Sequence, residues 1–443
     1  MDPLSLFLFF LFSFSLDSNT PLHLAVILGY KECIKLLLDH GAPIRIKNSL
    51  GWTPLAEAIS YGNRNTIKAL LHHLKLQSRQ SMEDKRPFHI QALRNLGDFY
   101  LELRWDFHSW VPLVSRILPS DICQIRKRGA CIRLDTTLVD FNGMHWERGD
   151  ITFIFNGNER PPKSLLIMDN KAKIYQWIRN EETDTDLEDE VDVLMSSDIV
   201  LTQMSTKNIT FNRMKSGWLF KEDKTEMVGQ FTADYYSIGG LTLESRKRRE
   251  HLSPEDLQRN KALVENFCKG AIAEDATQIG KQPERRMSLL PPAKPCLKWE
   301  EYESFTSGKC PCLGRVLVSK ENCKTYKATV AMSEDFPMTV EALLDVLEVI
   351  APFKQFQKLR EFMTTKLPPG FPVKVELPVF PTVTATVTFT DFDWVDDLSA
   401  NLFCFIIIVV YFFYLNCLNV LISLFHYIIY IYLSIYLSIY LSI

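Results

Sequence analysis

The chain has 443 residues, with 50 Lys and Arg against 53 Asp and Glu, a net charge of −3 at neutral pH and 47% hydrophobic residues. A balance this near neutrality gives no electrostatic footprint for nucleic acid, and ten cysteines in no paired pattern argue against a disulfide scaffold. The length admits two or three domains with sizeable cores.

The first element is an apolar run from Leu4 to Leu16. It has the length of a secretory h-region, but no Lys or Arg precedes it and no Ala-x-Ala site follows. We read residues 1–18 as a non-native leader standing where an upstream repeat belongs, with a true signal peptide as the alternative.

Thr20-Pro21-Leu22-His23-Leu24-Ala25 then returns 33 residues later as Thr53-Pro54-Leu55-Ala56-Glu57-Ala58, and 33 is the ankyrin period. Gly29 maps onto Gly62, and Leu37-Leu38 onto Leu70-Leu71. Pro21 and Pro54 suit the first position of an inner helix, Gly41 suits the end of an outer one, and His23 is expected to bond within the repeat turn. Residues 19–78 thus give about two repeats. Two are too few, because each repeat hides its apolar face against a neighbour and three or more are needed for stability.

Ile67, Leu70, Leu71 and Leu74 share one face of a second outer helix over 65–78, and Ile90, Leu93, Leu96, Tyr100 and Leu103 predict another helix over 84–103. From Ala130 the period becomes two. Short antiparallel strands are predicted at 131–138, 151–155, 165–168, 173–178, 208–211, 217–220, 228–236 and 241–245, with a tight turn at Ser237-Ile238-Gly239-Gly240. Residues 181–192 are an acidic run expected to be a solvated loop. The meander predicts a sheet or a partly closed barrel.

Arg246-Lys247-Arg248-Arg249 follows, just before a helix capped at Ser253. Such a run reads as a plain solvated charge cluster, a contact for anionic lipid at a cytosolic face or a nuclear signal. Residues 268–298 read as a Pro- and Gly-bearing linker in which Arg285-Arg286-Met287-Ser288 has the form of a basophilic kinase site, making Ser288 a candidate phosphosite. Beyond it, strands at 315–319, 325–331 and 382–389, helices at 340–350 and 356–366, and prolines at strand edges or turns are expected. Cys296, Cys310, Cys312 and Cys323 lack zinc spacing and a nearby His, so reduced cytosolic thiols are expected.

Residues 402–443 contain no Asp, Glu, Lys or Arg, and the chain closes on three copies of Tyr-Leu-Ser-Ile. That period is what a TATC tetranucleotide tract encodes, so residues 401–443 read as translated non-coding sequence, with a transmembrane anchor as the alternative. The nine histidines are scattered, and no Gly-x-Ser-x-Gly, His-x-x-x-His or phosphate loop occurs. No enzyme, cofactor or metal is expected.

Several stretches resemble the GPCR-chaperone domain of the ankyrin repeat domain-containing protein 13 family, nearest its C-type branch. They are Trp105-Asp106-Phe107, Leu118 to Asp121, Ile132 to Leu138, Arg148-Gly149-Asp150, Phe153 to Gly157, Ser245 to Leu252 and Lys366 to Lys374. The resemblance covers about residues 19–395 and assigns 79–400 to that domain, giving an α+β class of ankyrin helices followed by a β-rich unit with flanking helices. It implies a protein-binding chaperone for G-protein-coupled receptors (GPCRs), peripheral on the cytosolic face of the endoplasmic reticulum membrane, that contacts cytosolic regions of receptors and controls their exit. A ubiquitin-linked endocytic trafficking adaptor is the alternative, and a peripheral lipid binder using Arg246 to Arg249 a third. The acidic run near Glu188 lacks the Ala-x-x-x-Ser that a ubiquitin-reading helix carries.

Overall fold

The computed structural model describes residues 18–110, 118–142, 145–177, 183–205, 207–217, 222–268, 285–293, 313–350, 366–380 and 383–395. The predicted helix over 356–366 and both apolar ends lie almost wholly outside them. No helix among the described residues is long and apolar enough to cross a membrane.

Helices α1 (Pro21–Leu28) and α2 (Lys31–Asp39) form one repeat, and α3 (Pro54–Tyr61) with the start of α4 (Arg64–Asn95) forms the next. The repeated motif explains its own boundaries. Thr20 and Thr53 accept the backbone N–H of His23 and Ala56 as N-caps, and a proline follows each. Gly29 and Gly62 stop the inner helices at φ of 74° and 83°, a conformation that costs glycine nothing.

Helix α4 is a single 32-residue element with Pro87 inside it, not two helices, and it ends before the residues expected to complete its second half. Phe99–Ser109 is strand β1, in which Phe99, Leu101, Leu103, Trp105 and Phe107 alternate inward. Tyr100 and Leu103 fit a helical face by spacing, yet the period-two set is complete and prevails.

Strands β2 (Ser120–Arg128), β3 (Cys131–Asn142), β4 (His145–Asn156), β5 (Leu165–Asp169) and β6 (Ile174–Trp177) continue from β1 as an antiparallel meander. Helix α5 (Asp184–Ser196) interrupts it, then come β7 (Ile199–Ser205), β8 (Thr210–Arg213), a two-stranded ribbon of β9 (Lys215–Ser216) and β10 (Glu222–Asp223), and β11 (Thr225–Val228). Strand β12 (Phe231–Arg248) runs 18 residues. The predicted turn at 237–240 is instead a bulge within it, where the register slips between Ile238 and Leu241.

After helix α6 (Pro254–Cys268) come β13 (Ser319–Ser333), helix α7 (Val340–Ile350), β14 (Phe371–Phe380) and β15 (Val383–Trp394). The main sheet orders its strands β11-β12-β13-β14-β15-β1-β2-β3-β4-β5-β6, with β7 and β8 also on β12. It is open, not a closed barrel. The last strand in chain order pairs with the first, Phe99 opposite Trp394, which places both in the middle of the sheet. Pro372 and Pro378 sit inside central strand β14 rather than at an edge, tolerated because the register shifts beside each of them. The core gathers Phe99, Phe231, Phe336, Phe371, Phe389 and Phe392, with Phe336 stacked on Phe371 at 3.9 Å between centroids.

Candidate functional site: the seam between the ankyrin stack and the sheet

The repeat motif builds one wall of the seam. His23 is fully buried, its Nδ1 accepting from the Thr20 N–H at 3.1 Å and its Nε2 3.0 Å from the Trp52 carbonyl. An Nδ1 that accepts must be unprotonated, so Nε2 carries the proton and donates to Trp52. Burial pushes the imidazole down to about 4, the Trp52 carbonyl opposing in part. His23 therefore couples the first repeat to the second in its neutral form. Asn48 adds to this link, donating to Asn19 at 3.0 Å and accepting from the Trp52 N–H at 2.9 Å.

The basic run at the end of β12 forms the opposing wall, and this corrects the expectation of an exposed cluster. Arg248 is fully buried. Its guanidinium reaches both Glu57 oxygens at 2.9 and 3.0 Å and Glu250 at 2.6 Å, and lies 5.1 Å from the Trp52 ring centre. Burial alone would lower it, but Glu57 and Glu250 hold it raised. Glu250 also accepts from the Ser60 hydroxyl at 2.6 Å. Lys247 is buried and pushed down to about 7, mainly by desolvation. Arg249 pairs with Asp198 at 2.8 Å. Arg246 alone of the four keeps a substantially open side chain, and it bonds Glu321 and the Leu50 carbonyl at 3.1 and 3.2 Å. A run committed this way to Glu57, Leu50, Asp198 and Glu321 does not offer four cations to a lipid surface.

The acidic run is not a solvated loop either. It is helix α5, capped by Thr183 and Asp186, and it buries Leu187, Val191 and Met195 against Ile67, Leu70 and Leu71 of the stack. Its outer carboxylates meet α4: Arg64 bonds Glu188 at 2.8 Å and also Asp192, Lys68 bonds Glu188 at 2.5 Å, and Lys75 pairs with Glu190. On the α4 side of the stack, α5 covers the apolar face that a following repeat would cover.

Within the predicted linker, residues 285–293 are docked across the same seam. Arg285 and Arg286 reach Asp189, Asp192 and Asp256, and the Ser288 hydroxyl accepts from the Arg64 N–H at 3.0 Å. The two arginines that would present Ser288 to a basophilic kinase are thus engaged. Arg315 closes the end, donating to the carbonyls of Ser60 and Tyr61 at 2.9 and 3.2 Å.

Sequence reading missed Glu57, Glu250, Arg64, Asp192 and Asp256 as members of this site. One signal was available: Glu57 stands where the first repeat has Leu24, and a carboxylate on the packed face of an inner helix needs a cation. Away from the seam, three of the quoted stretches meet at buried Asp121. It accepts from Thr137 Oγ1 at 2.7 Å, the Thr137 N–H at 3.0 Å, Thr136 Oγ1 and Arg148 at 3.3 Å. Cys33, Cys123 and Cys323 are free thiols. Burial, then the Asp121 charge, pushes Cys123 up to about 12, so it is unreactive.

These features define an ankyrin-repeat protein whose stack is fastened to an open antiparallel sheet. A model described as ANKRD13 C-terminal matches residues 133–404, and one for ankyrin repeats (3 copies) matches 5–80. Human ankyrin repeat domain-containing protein 13C is 60% identical over 385 residues, 87% of this chain and 70% of that protein. The 13C-B protein of Xenopus laevis is 61% identical over 376 residues, 85% of this chain and 73% of that one. Mouse 13B is 34% identical over 396 residues, 86% of this chain and 63% of its own length. The chain belongs to the ankyrin repeat domain-containing protein 13 family. No solved structure matches it.

Proposed function

We propose that this chain is a non-enzymatic chaperone and adaptor that binds GPCRs during biogenesis and regulates their exit from the endoplasmic reticulum, acting at the cytosolic face of that membrane. Family membership supports the coarser role, a protein-interaction adaptor, since ankyrin stacks present surfaces to partners. The receptor-specific reading rests on the likeness carried by Trp105 to Phe107, Ile132 to Leu138 and Lys366 to Lys374.

Co-precipitation of the chain with receptors in cells tests it. Recovery of the immature, endoglycosidase-sensitive receptor is expected. Recovery of mature receptor alone, together with capture on ubiquitin chains, would favour the endocytic adaptor instead.

A further inference from the structure

Residues 285–293 sit on the molecule as a ligand sits on a receptor. Arg286 places Nη1 2.7 Å and Nη2 2.5 Å from the two oxygens of Asp256, a bidentate pair, while Arg285 lies 2.6 Å from Asp189 and 3.1 Å from Asp192. The backbone is gripped as well. The Arg286 N–H donates to Asp192 at 2.9 Å, the Arg286 carbonyl accepts from Arg64 at 2.9 Å, and the Leu289 N–H donates to the Gly62 carbonyl at 2.8 Å. Leu289 packs so closely over Gly62 that an added Cβ there would come within 2.5 Å of it. Met287 and Leu290, by contrast, are 83% and 86% exposed. Backbone bonds along an extended segment, with some side chains held and others left out, are how peptide-binding grooves work.

We propose that the groove formed by the α3–α4 turn, the acidic face of α5 and the start of α6 is a recognition site for extended basic segments. Its resting occupant is the chain's own Arg285-Arg286-Met287-Ser288-Leu289, and the Lys- and Arg-rich cytosolic segment beside a client's membrane span displaces it. The groove stands on its own geometry, whereas the client's identity rests on the function proposed above. Cytosolic loops carry an excess of Lys and Arg close to their spans, which is the chemistry that Asp189, Asp192 and Asp256 hold in cis. The site reads two adjacent cations, ignores the next residue, and takes a small hydroxyl and then a leucine.

A fluorescent peptide with the sequence of residues 285–293, added to the full chain, tests the proposal by anisotropy. The Arg285→Ala, Arg286→Ala, Leu289→Ala triple variant, whose own strap no longer competes, is expected to bind the peptide at least about tenfold more tightly than the wild-type chain, the factor expected for one lost local competitor. Asp192→Asn with Asp256→Asn in that background should abolish binding. Arg286→Ala alone, with folding checked by amide exchange in the sheet, serves if the triple variant does not fold. Equal binding to wild type and variant, binding to neither, or binding that survives the aspartate changes would overturn the groove. The two readings fail separately. Peptide binding without receptor recovery sinks the receptor reading and leaves the groove, while receptor recovery undiminished by the aspartate changes sinks the groove alone.

Discussion

The stack and the sheet are held by different forces. The sheet has an aromatic core of its own, Phe99, Phe336, Phe371, Phe389 and Phe392 among them, with ring centroids 3.9–5.9 Å apart in the contacts that join these five. The stack has a largely aliphatic core that borrows Leu187, Val191 and Met195 from α5 and Ile199 from β7, and its outer faces end in ion pairs. Non-directional burial tolerates small shifts, whereas a buried guanidinium between two carboxylates must be placed well or it costs free energy. The seam therefore fixes how the two parts meet, and the aromatic core fixes only the sheet.

Four changes would sharpen that contrast. Arg248→Ala strands Glu57 and Glu250 without their cation and should cost about 3–5 kcal/mol. Amide exchange should show the loss in α1 to α3, with the amides around Phe371 and Phe389 still protected. Loss of protection across the whole sheet would show instead that the two parts unfold as one. Acidification is next. The folded His23 titrates at about 4, well below the ordinary 6.5, so between these values the unfolded chain binds the extra proton. Stability is then fully present above about pH 6.5 and should fall as pH drops towards 4, by up to ~3 kcal/mol. Denaturation of a His23→Gln variant across this range should show a shallower dependence; the buried His251 and the ion-paired Glu250, Asp192 and Asp256, all held low, contribute the residual slope.

Leu187→Ala removes part of the borrowed cover and should cost about 2–3 kcal/mol, seen as faster exchange in the first turns of α4. The smallest effect belongs to Arg246→Ala, which breaks a solvent-facing pair with Glu321 and should cost less than about 1 kcal/mol. Sedimentation with anionic liposomes should be unchanged by that variant; a clear drop would restore a lipid role to this end of β12.

The repeats were legible because their signals are local: a cap, a proline and a left-handed glycine lie within ten residues of one another. Strands β3, β4 and β5 were legible for the same reason. The seam was not, because its partners are far apart in sequence. Arg248 and Glu57 are 191 residues apart, and Arg64 and Glu188 are 124. A charge run looks solvated until the fold brings a carboxylate to each member. Helix α5 could have been found, since Leu187, Val191 and Met195 follow a four-residue spacing that the surrounding acids obscured. In β14, prolines that argue against a central strand are accommodated by register shifts that only the neighbouring strands reveal.

The pairing of β1 with β15 sets a timetable for biosynthesis. The ribosome releases Phe99–Ser109 almost 300 residues before the strand that covers its open side. Until Val383–Trp394 leaves the exit tunnel, the nascent chain displays an uncovered hydrogen-bonding edge, a hazard for aggregation. A molecule proposed to shepherd other newly made proteins would itself depend on such help while it is being translated.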